Sequence, residues 1–406
     1  MTDTTSHHEF PEGGFKAYLT VFGAFLALFS SFGHISSFGT YQAWYSGHQL
    51  HHFPPSTISW IGSLQLWVFF VSGFPTGWLF DKFGPIWLML AGTIIYIFSI
   101  MMTSLSSQLY EFVLTQGILF GLGVGLLFYP SLASTATYFK KYRATALGIV
   151  AAGSSIGGVV YPIMLQRLFV SVGFGWGVRI SGLVSAVCCV MATLCVRNHS
   201  STKRTDCCIS LKTFSDTKYI LLAIGSCLVA LGLFIPFIYI VEYAQHLSIS
   251  SQKAFYVLAV LNAGGVFGRI APAYLSDSLG RFNLLTPSAF FSGLSCLVFW
   301  IFTRNLTGLM VFAAVYGFFS GAFISVMTPC VAQISDISQI GIRMGVLYSV
   351  ISFPSLGGGP AAGALLARGH GSFDGMIFFS GSTVVAGSLF IFLSKLSIDP
   401  RLFARV

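Results

Sequence analysis

Charged residues are scarce in this chain. They make up 8% of its 406 residues, whereas hydrophobic residues make up 55%. A water-soluble domain carries about 25% charged residues, so this composition cannot cover a surface that faces water. The apolar runs are about 20 residues long, enough to cross a hydrocarbon core of roughly 30 Å as a helix, and they lack the alternation of a membrane β-barrel. We therefore predict an all-α membrane protein.

Sets of residues that could carry out chemistry are also missing. An intramembrane enzyme needs paired acids or a nucleophile with its base, and the sequence has neither arrangement. It also lacks the Gly-x-x-x-x-Gly-Lys-Ser/Thr loop that binds ATP phosphates. His48, His51 and His52 cluster without the further ligands that a metal site needs. We therefore predict no enzymatic activity, no cofactor, no bound metal and no direct use of ATP.

Hydropathy predicts twelve membrane spans, six on each side of a polar central loop at residues 197–218. The N-terminal half is then residues 17–196 and the C-terminal half residues 219–395, with tails at 1–16 and 396–406. The predicted spans are residues 17–38, 57–80, 86–105, 111–137, 145–168, 172–196, 219–241, 253–275, 284–303, 308–330, 344–366 and 375–395.

Basic residues indicate how these spans are oriented. With the N-terminus placed inside, 15 of the 21 Lys and Arg lie on the inner side, and such an excess marks the cytoplasmic side. Both tails and the central loop are therefore predicted to be cytoplasmic. The net charge of +9 then reflects membrane orientation, and we predict no binding to nucleic acid.

The two halves repeat each other. Gly-Trp-Leu-Phe-Asp-Lys-Phe-Gly at residues 77–84 returns as Ala-Tyr-Leu-Ser-Asp-Ser-Leu-Gly-Arg at residues 273–281, so Asp81 and Asp277 occupy equivalent positions. Two related membrane halves around one central cavity are typical of secondary transporters, which work by alternating access. The repeat therefore favours a transporter.

The repeated loop resembles the cytoplasmic signature of the major facilitator superfamily, Gly-x-x-x-Asp-x-x-Gly followed by a basic residue. In that superfamily it follows spans two and eight, as it does here. The first copy has Pro85 in place of the basic residue, and the second begins with Ala273 in place of glycine. The resemblance implies the major facilitator fold, with twelve helices in two six-helix halves.

Further stretches resemble the monocarboxylate porter branch of this superfamily. Pro-Glu-Gly-Gly-Phe-Lys-Ala at residues 11–17 is similar to the motif that precedes span one in that branch, and residues 138–148 are similar to its span four-to-five signature. Residues 264–270 and 316–322 are similar to fungal members in particular. This resemblance implies a plasma-membrane carrier for a carboxylate or related organic anion, often coupled to protons.

Arg269 is the strongest candidate for a substrate-binding residue. It lies about eight residues, or roughly 12 Å of helical rise, from the inner end of span eight. An ionised side chain at such depth marks a functional site by default, and a guanidinium matches the two oxygens of a carboxylate. The resemblance also places the substrate-contacting arginine of the branch here, although an arginine paired only with a helix end is the alternative. Asn262, two turns earlier, is a second candidate.

The proton-coupling residue of the branch is absent. Well-known monocarboxylate porters have an aspartate one turn before this arginine, whereas this chain has Gly265. His34, inside span one, titrates near neutral pH and is a candidate both for carrying the proton and for binding substrate. Glu242, at the end of span seven, is the other proton-coupling candidate. For both, a structural or solvated side chain is the alternative.

Charged residues at the inner ends of spans are predicted to act as gates. A carboxylate there can meet the positive N-terminus of a helix in the other half and hold the inner side closed. The alternative is that these charges only set the membrane orientation. The predicted gating residues are Asp81, Lys82, Asp277, Arg281, Arg143 and Arg343.

The leading functional prediction is a secondary transporter for a monocarboxylate or related organic anion, with proton coupling left open. Export of a larger acidic or aromatic secondary metabolite is the alternative within the same class, and the 16% of aromatic residues favours a ring-bearing substrate. A nutrient sensor on the same fold is a third hypothesis, which the short tails disfavour. The predicted partners are the organic anion, protons and the lipid bilayer, and a monomer is sufficient for transport.

Overall fold

The computed structural model describes residues 13–198, 216–335 and 340–401. Within these ranges the chain is helical and contains no strand. Most of the predicted tails and central loop lies outside the described residues, so the predicted domain boundaries stay predictions.

Twelve helical segments of the described chain are long and apolar enough to cross a membrane, which confirms the predicted fold class. Spans one to six are Phe15–Gly47, Thr57–Phe80, Pro85–Thr103, Leu109–Tyr138, Arg143–Ser171 and Phe174–Cys195. Spans seven to twelve are Thr217–His246, Lys253–Leu279, Arg281–Trp300, Leu306–Gln333, Arg343–Arg368 and Asp374–Ile398.

Several spans consist of more than one helical piece. Spans one and seven, which are equivalent in the repeat, each break once, and discontinuous helices at corresponding positions of two halves indicate a substrate site. Spans four and nine each contain a π-helical stretch. Span one consists of Phe15–Ile35 and Phe38–Gly47, and span seven of Thr217–Leu233 and Ile235–His246. Span two also breaks, into Pro55–Val71 and Gly73–Phe83. Span four consists of Leu109–Phe112, Val113–Leu119 and Phe120–Tyr138, and span nine of Arg281–Ser295 and Cys296–Trp300.

Spans one and seven are longer than the sequence predicted. Span one was expected to end at residue 38 but continues to Gly47, and span seven was expected to end at residue 241 but continues to His246. In both spans, the added helical residues are mostly polar or aromatic, so the hydropathy of the sequence falls before the helix ends. Tyr45 and Tyr243 lie in these added parts and are fully buried against neighbouring helices. Tertiary packing therefore extends helices whose local hydropathy has already fallen.

The repeat in the sequence is also a repeat in the packing. Span one contacts spans five and six as span seven contacts spans eleven and twelve, and span three contacts spans four and six as span nine contacts spans ten and twelve. The halves meet along two equivalent pairs, span five with span eight and span eleven with span two. This arrangement leaves a central space between the halves.

Glycines allow the closest helix approaches around this space. A Cβ at Gly157 of span five would overlap the carbonyl of Phe29 in span one, and a Cβ at Gly317 of span ten would overlap the carbonyl of Leu261 in span eight. Small residues are the usual means by which membrane helices approach this closely. The positions of spans five and eight, and of the residues they bring to the centre, are therefore tightly fixed.

Candidate functional site

Two chambers occupy the central space between the halves. We call the end of the bundle where span one begins and span twelve ends the termini side. The far chamber lies away from that side, and the near chamber lies next to it. Their outlines hold about 620 and 730 Å³ of space, part of which is open to solvent. These volumes therefore set no size for a ligand, and the lining residues indicate what each chamber could bind.

Three apolar side chains separate the two chambers. Phe32 of span one, Phe234 at the break of span seven and Ile324 of span ten line both spaces. Phe32 also packs against Phe69 and Phe128, with ring centroids 5.5 and 5.8 Å apart. A molecule moving from one chamber to the other has to pass this constriction.

Arg269 lies at the level of the constriction. It is 3% exposed and lines the far chamber, while its Nη1 donates hydrogen bonds to Ser154 Oγ and, over 2.8 Å, to the carbonyl of Ala151. Its Nε has no hydrogen-bond partner among the described residues. No carboxylate of the described residues lies within 4.0 Å of the guanidinium. A buried cation of this kind can bind an anion at its unpaired edge.

Gly265, one turn before Arg269, lies close to Ser155 of span five. A Cβ at this position would lie 2.8 Å from Ser155 Oγ, across the contact between spans eight and five. Ser155 Oγ is buried and has no hydrogen-bond partner among the described residues. An aspartate here, as in the monocarboxylate porters, would therefore require the Ser155 hydroxyl to turn aside.

Asn262 lies near Arg269 but is turned towards span five. It is 2% exposed, and its Nδ2 donates to the carbonyl of Leu258 over 3.1 Å. A Cβ at Gly158 would overlap its Oδ1. Asn262 thus occupies the contact between spans five and eight, and it is absent from the linings of both chambers. Its predicted role in substrate binding gains no support from this position.

His34 lies inside the first half, away from Arg269. Its Nε2 is 2.7 Å from Tyr41 Oη and its Nδ1 is 3.1 Å from Tyr96 Oη, and its ring stacks on Tyr161. Because Tyr96 donates its own hydroxyl proton to the carbonyl of Ser30, Nδ1 is the nitrogen that donates to Tyr96 and Nε2 accepts from Tyr41. His34 lines neither chamber. Its roles in proton coupling and substrate binding stay predictions.

Glu242 is half-buried on the second piece of span seven, one turn beyond Tyr239. Neither chamber has Glu242 in its lining. The structure therefore does not bring Glu242, His34 and Arg269 together. The proton-coupling role of Glu242 stays a prediction.

Asp277 links the two halves on the termini side. Its carboxylate accepts hydrogen bonds from the backbone nitrogens of Ala144 and Thr145, over 3.2 and 2.9 Å, and from Thr145 Oγ1 over 2.8 Å. These nitrogens open span five, so the carboxylate meets the positive end of that helix. Arg281 Nη2 lies 3.7 Å from Asp277 Oδ1 within the second half.

The other predicted gating residues lie at the same side of the bundle. Arg343 Nη1 is 3.7 Å from Asp216 Oδ2 and donates to the carbonyl of Ile334. Arg143 Nε donates to the carbonyl of Phe139 over 3.0 Å, and exposed Lys82 lies over the ring of Trp78. The side chain of Asp81, on the helix Gly73–Phe83, lies outside the described part of the structure.

Gln65 and Tyr348 are two further polar groups in the linings of the chambers. Gln65 lines the far chamber, is 1% exposed, and has no hydrogen-bond partner for its Oε1 among the described residues. Tyr348 lines the near chamber, where it stacks on Phe70 and shares a 2.8 Å hydrogen bond with Thr328. An amide in the middle of an apolar span is itself a functional signal in a membrane protein and would have identified Gln65.

Comparison with known proteins gives one family and several fungal relatives. The family model described as Major Facilitator Superfamily matches residues 20–304. The chain is 38% identical to MFS-type transporter 1 of Ophiocordyceps sp. over 401 residues, which cover 98% of this chain and 89% of that protein. It is 38% identical to the Agnestins efflux protein AgnL12 of Paecilomyces divaricatus, over 96% of this chain and 90% of that protein.

A third relative extends the same pattern. The chain is 39% identical to the Aspyridones efflux protein apdF of Emericella nidulans, over 95% of this chain and 79% of that protein. Two of these three relatives are therefore named as efflux proteins. The monocarboxylate porter branch, expected from residues 11–17 and 138–148, stays a prediction.

Proposed function

The chain belongs to the Major Facilitator Superfamily, and we propose that it is a secondary carrier that exports an acidic, ring-bearing metabolite by alternating access. The observation that carries this proposal is Arg269, a buried cation on the wall of the far chamber with no carboxylate within 4.0 Å among the described residues. An unpaired buried charge is costly, and an anionic substrate would supply the missing partner.

The walls of both chambers support a ring-bearing substrate. The far chamber has four phenylalanines in its lining, and the near chamber has six phenylalanines and Tyr348. Aromatic side chains stack well on planar rings and bury large apolar areas. A short monocarboxylate has no ring to stack on these side chains. The aromatic linings therefore favour the metabolite over a lactate-like acid.

The direction of transport is proposed from the relatives. Proteins named for the efflux of agnestins and of aspyridones are each at least 38% identical to this chain over most of its length. Their names concern those proteins, but they support export over uptake here. The sequence resemblance to monocarboxylate porters supports the anionic character of the substrate.

We further propose that Asp277 is part of the gate on the termini side. Its three hydrogen bonds to Ala144 and Thr145 join the halves at the end of the near chamber. Charge-assisted bonds to a helix N-terminus are stronger than neutral ones. Opening the near chamber towards the termini side requires spans five and eight to part there, so these bonds have to break in each transport cycle.

The proposal is tested by transport into inverted membrane vesicles, which turn export into uptake. Radiolabelled lactic acid, benzoic acid and biphenyl-4-carboxylic acid serve as probes, and vesicles without the protein give the background. We expect accumulation of the biphenyl acid, and a reduction of about tenfold or more in Arg269→Ala, because a hydrogen bond to a charged group contributes about 1.5–3 kcal/mol.

Arg179→Ala is the matched control. Arg179 is also an arginine within a span, although it is only partly buried. Its Nε donates to Ser104 Oγ, and it lines neither chamber. Full activity of Arg269→Ala at normal membrane levels would contradict the anion site. Accumulation of lactic acid alone would contradict the proposed substrate class and support the monocarboxylate hypothesis.

A further inference from the structure

We propose that Gln65 is a second substrate-binding group of the far chamber. The substrate would then be an extended acid, with its anion on Arg269 and a hydrogen-bonding group, such as a hydroxyl, on the Gln65 amide. This inference rests on the proposed function and adds to it the distance between the two polar ends of the substrate.

Gln65 and Arg269 are the two lining residues of the far chamber that have a buried polar atom without a partner among the described residues. These atoms are Gln65 Oε1 and Arg269 Nε, on side chains that are 1% and 3% exposed. Ser36 also lines this chamber, but its Oγ already donates to the carbonyl of Phe32. A buried polar atom without a partner is costly, so a ligand that bonds to it gains that free energy.

The two groups lie at different depths. Depth can be counted from Asp81 and Asp277, which occupy equivalent positions in the repeat. Gln65 lies about sixteen residues before Asp81, and Arg269 lies about eight residues before Asp277. The difference of about eight residues is roughly 12 Å along a helix. A molecule that contacts both groups therefore has polar ends on the order of 10 Å apart.

The chamber between them is apolar and aromatic. Phe32, Phe38, Phe234 and Phe237 lie in the same lining as the two polar groups. Gln65 comes from span two of the first half and Arg269 from span eight of the second, so an extended ligand would touch both halves at once. A short acid can reach only one of the two polar groups.

The test compares rigid acids with and without a distant hydroxyl. The long pair is 4′-hydroxybiphenyl-4-carboxylic acid and biphenyl-4-carboxylic acid, and the short pair is 4-hydroxybenzoic acid and benzoic acid. Affinities are measured from the rise in thermal stability of the purified full-length protein on titration with each acid. We expect the hydroxyl to raise affinity about tenfold in the long pair, as one recovered hydrogen bond would, and to have little effect in the short pair.

Gln65→Leu is expected to abolish the preference for the long hydroxyl acid and to keep the affinity for biphenyl-4-carboxylic acid. Gln42→Leu is the matched control. Gln42 is 8% exposed and its Oε1 also has no partner among the described residues, but it lines neither chamber. This control should keep the preference of the wild type.

The outcomes separate this inference from the anion site. A tenfold preference that persists in Gln65→Leu, or that is missing in the wild type, overturns the role of Gln65. Unchanged binding of both long acids by Arg269→Ala overturns the anion site of the proposed function and leaves the hydroxyl preference as a separate result. A wild-type protein that binds none of the four acids overturns both proposals.

Discussion

Arg269 of the second half donates hydrogen bonds to Ser154 and Ala151 of the first half, across the contact between spans eight and five. The residue that we propose as the anion site is therefore also a link between the two halves. An anion that binds the unpaired Nε edge contacts a group whose position depends on how the halves are docked. In the proposed mechanism, substrate binding and the movement of the halves would be coupled at this side chain.

The link made by Asp277 predicts a change in access to the near chamber. Asp277→Ala removes three hydrogen bonds between the halves, so the termini side should open more often. A cysteine placed at Ser226, which lines the near chamber, should react about tenfold or more faster with a membrane-impermeant thiol reagent added from the termini side. The labelling is measured in a background in which the eight native cysteines are replaced by serine.

Asp399→Ala is the control for this experiment. Asp399 is also an acid at the termini side, but it pairs with Arg401 in the segment after span twelve, over 2.9 Å. Its removal should leave the labelling rate unchanged. Equal rates in Asp277→Ala and in the protein with Asp277 intact would show that the contact does not restrict opening.

The close contact of Gly317 with the backbone of span eight predicts a steric penalty. Gly317→Ala adds a Cβ that overlaps the carbonyl of Leu261, and overpacking of this kind costs about 1–3 kcal/mol. The carbonyl belongs to the helix backbone and cannot turn aside as a side chain can. The melting temperature of the purified protein should therefore fall.

Gly357→Ala is the matched control for Gly317→Ala. A Cβ at Gly357 of span eleven would have no atom within 4 Å, so the melting temperature of this variant should stay unchanged. Equal melting temperatures of the wild type and Gly317→Ala would contradict the close contact between spans ten and eight.

The sequence was sufficient to predict the fold because the spans are long and the repeat is direct. Hydropathy placed all twelve spans, and equivalent loops at Asp81 and Asp277 indicated two related halves. The break of span seven was missed because the helix is apolar on both sides of Phe234. The break of span one, at Ser36, lies at the predicted end of that span, where hydropathy falls anyway. A hydropathy window measures composition, whereas the direction of a helix depends on packing.

The site was predicted only in part. A sequence shows how deep in a span a residue lies, but it does not show towards which neighbouring helices its side chain points. Arg269 lines the far chamber, as its charge and depth suggested. His34 has similar depth but points into its own half, where Tyr41 and Tyr96 surround it. Gln65 faces the chamber without carrying a charge. Which neighbours a polar side chain meets depends on contacts between distant segments, and one sequence does not display them.

The hydrogen bonds of His34 predict that it supports structure rather than carries a proton. Both ring nitrogens are bonded, to Tyr96 Oη and Tyr41 Oη, and the ring is 2% exposed. Tyr41 lies beyond the break of span one, so His34 ties the second piece of that span to the first piece and to span three. His34→Phe keeps an aromatic ring but removes the acceptor of the Tyr41 hydroxyl, whereas Tyr96 still donates to the carbonyl of Ser30. A buried donor without a partner costs about 1–3 kcal/mol.

His34→Phe should therefore lower the melting temperature while the pH profile of transport keeps its shape. Transport of biphenyl-4-carboxylic acid into inverted vesicles, measured from pH 5 to 8, gives that profile. Tyr41→Phe is the control, because it removes one of the same hydrogen bonds without removing a group that titrates near neutral pH. A profile that becomes flat in His34→Phe but not in Tyr41→Phe would show that His34 is the proton carrier, and that its bonds to the two tyrosines rearrange during transport.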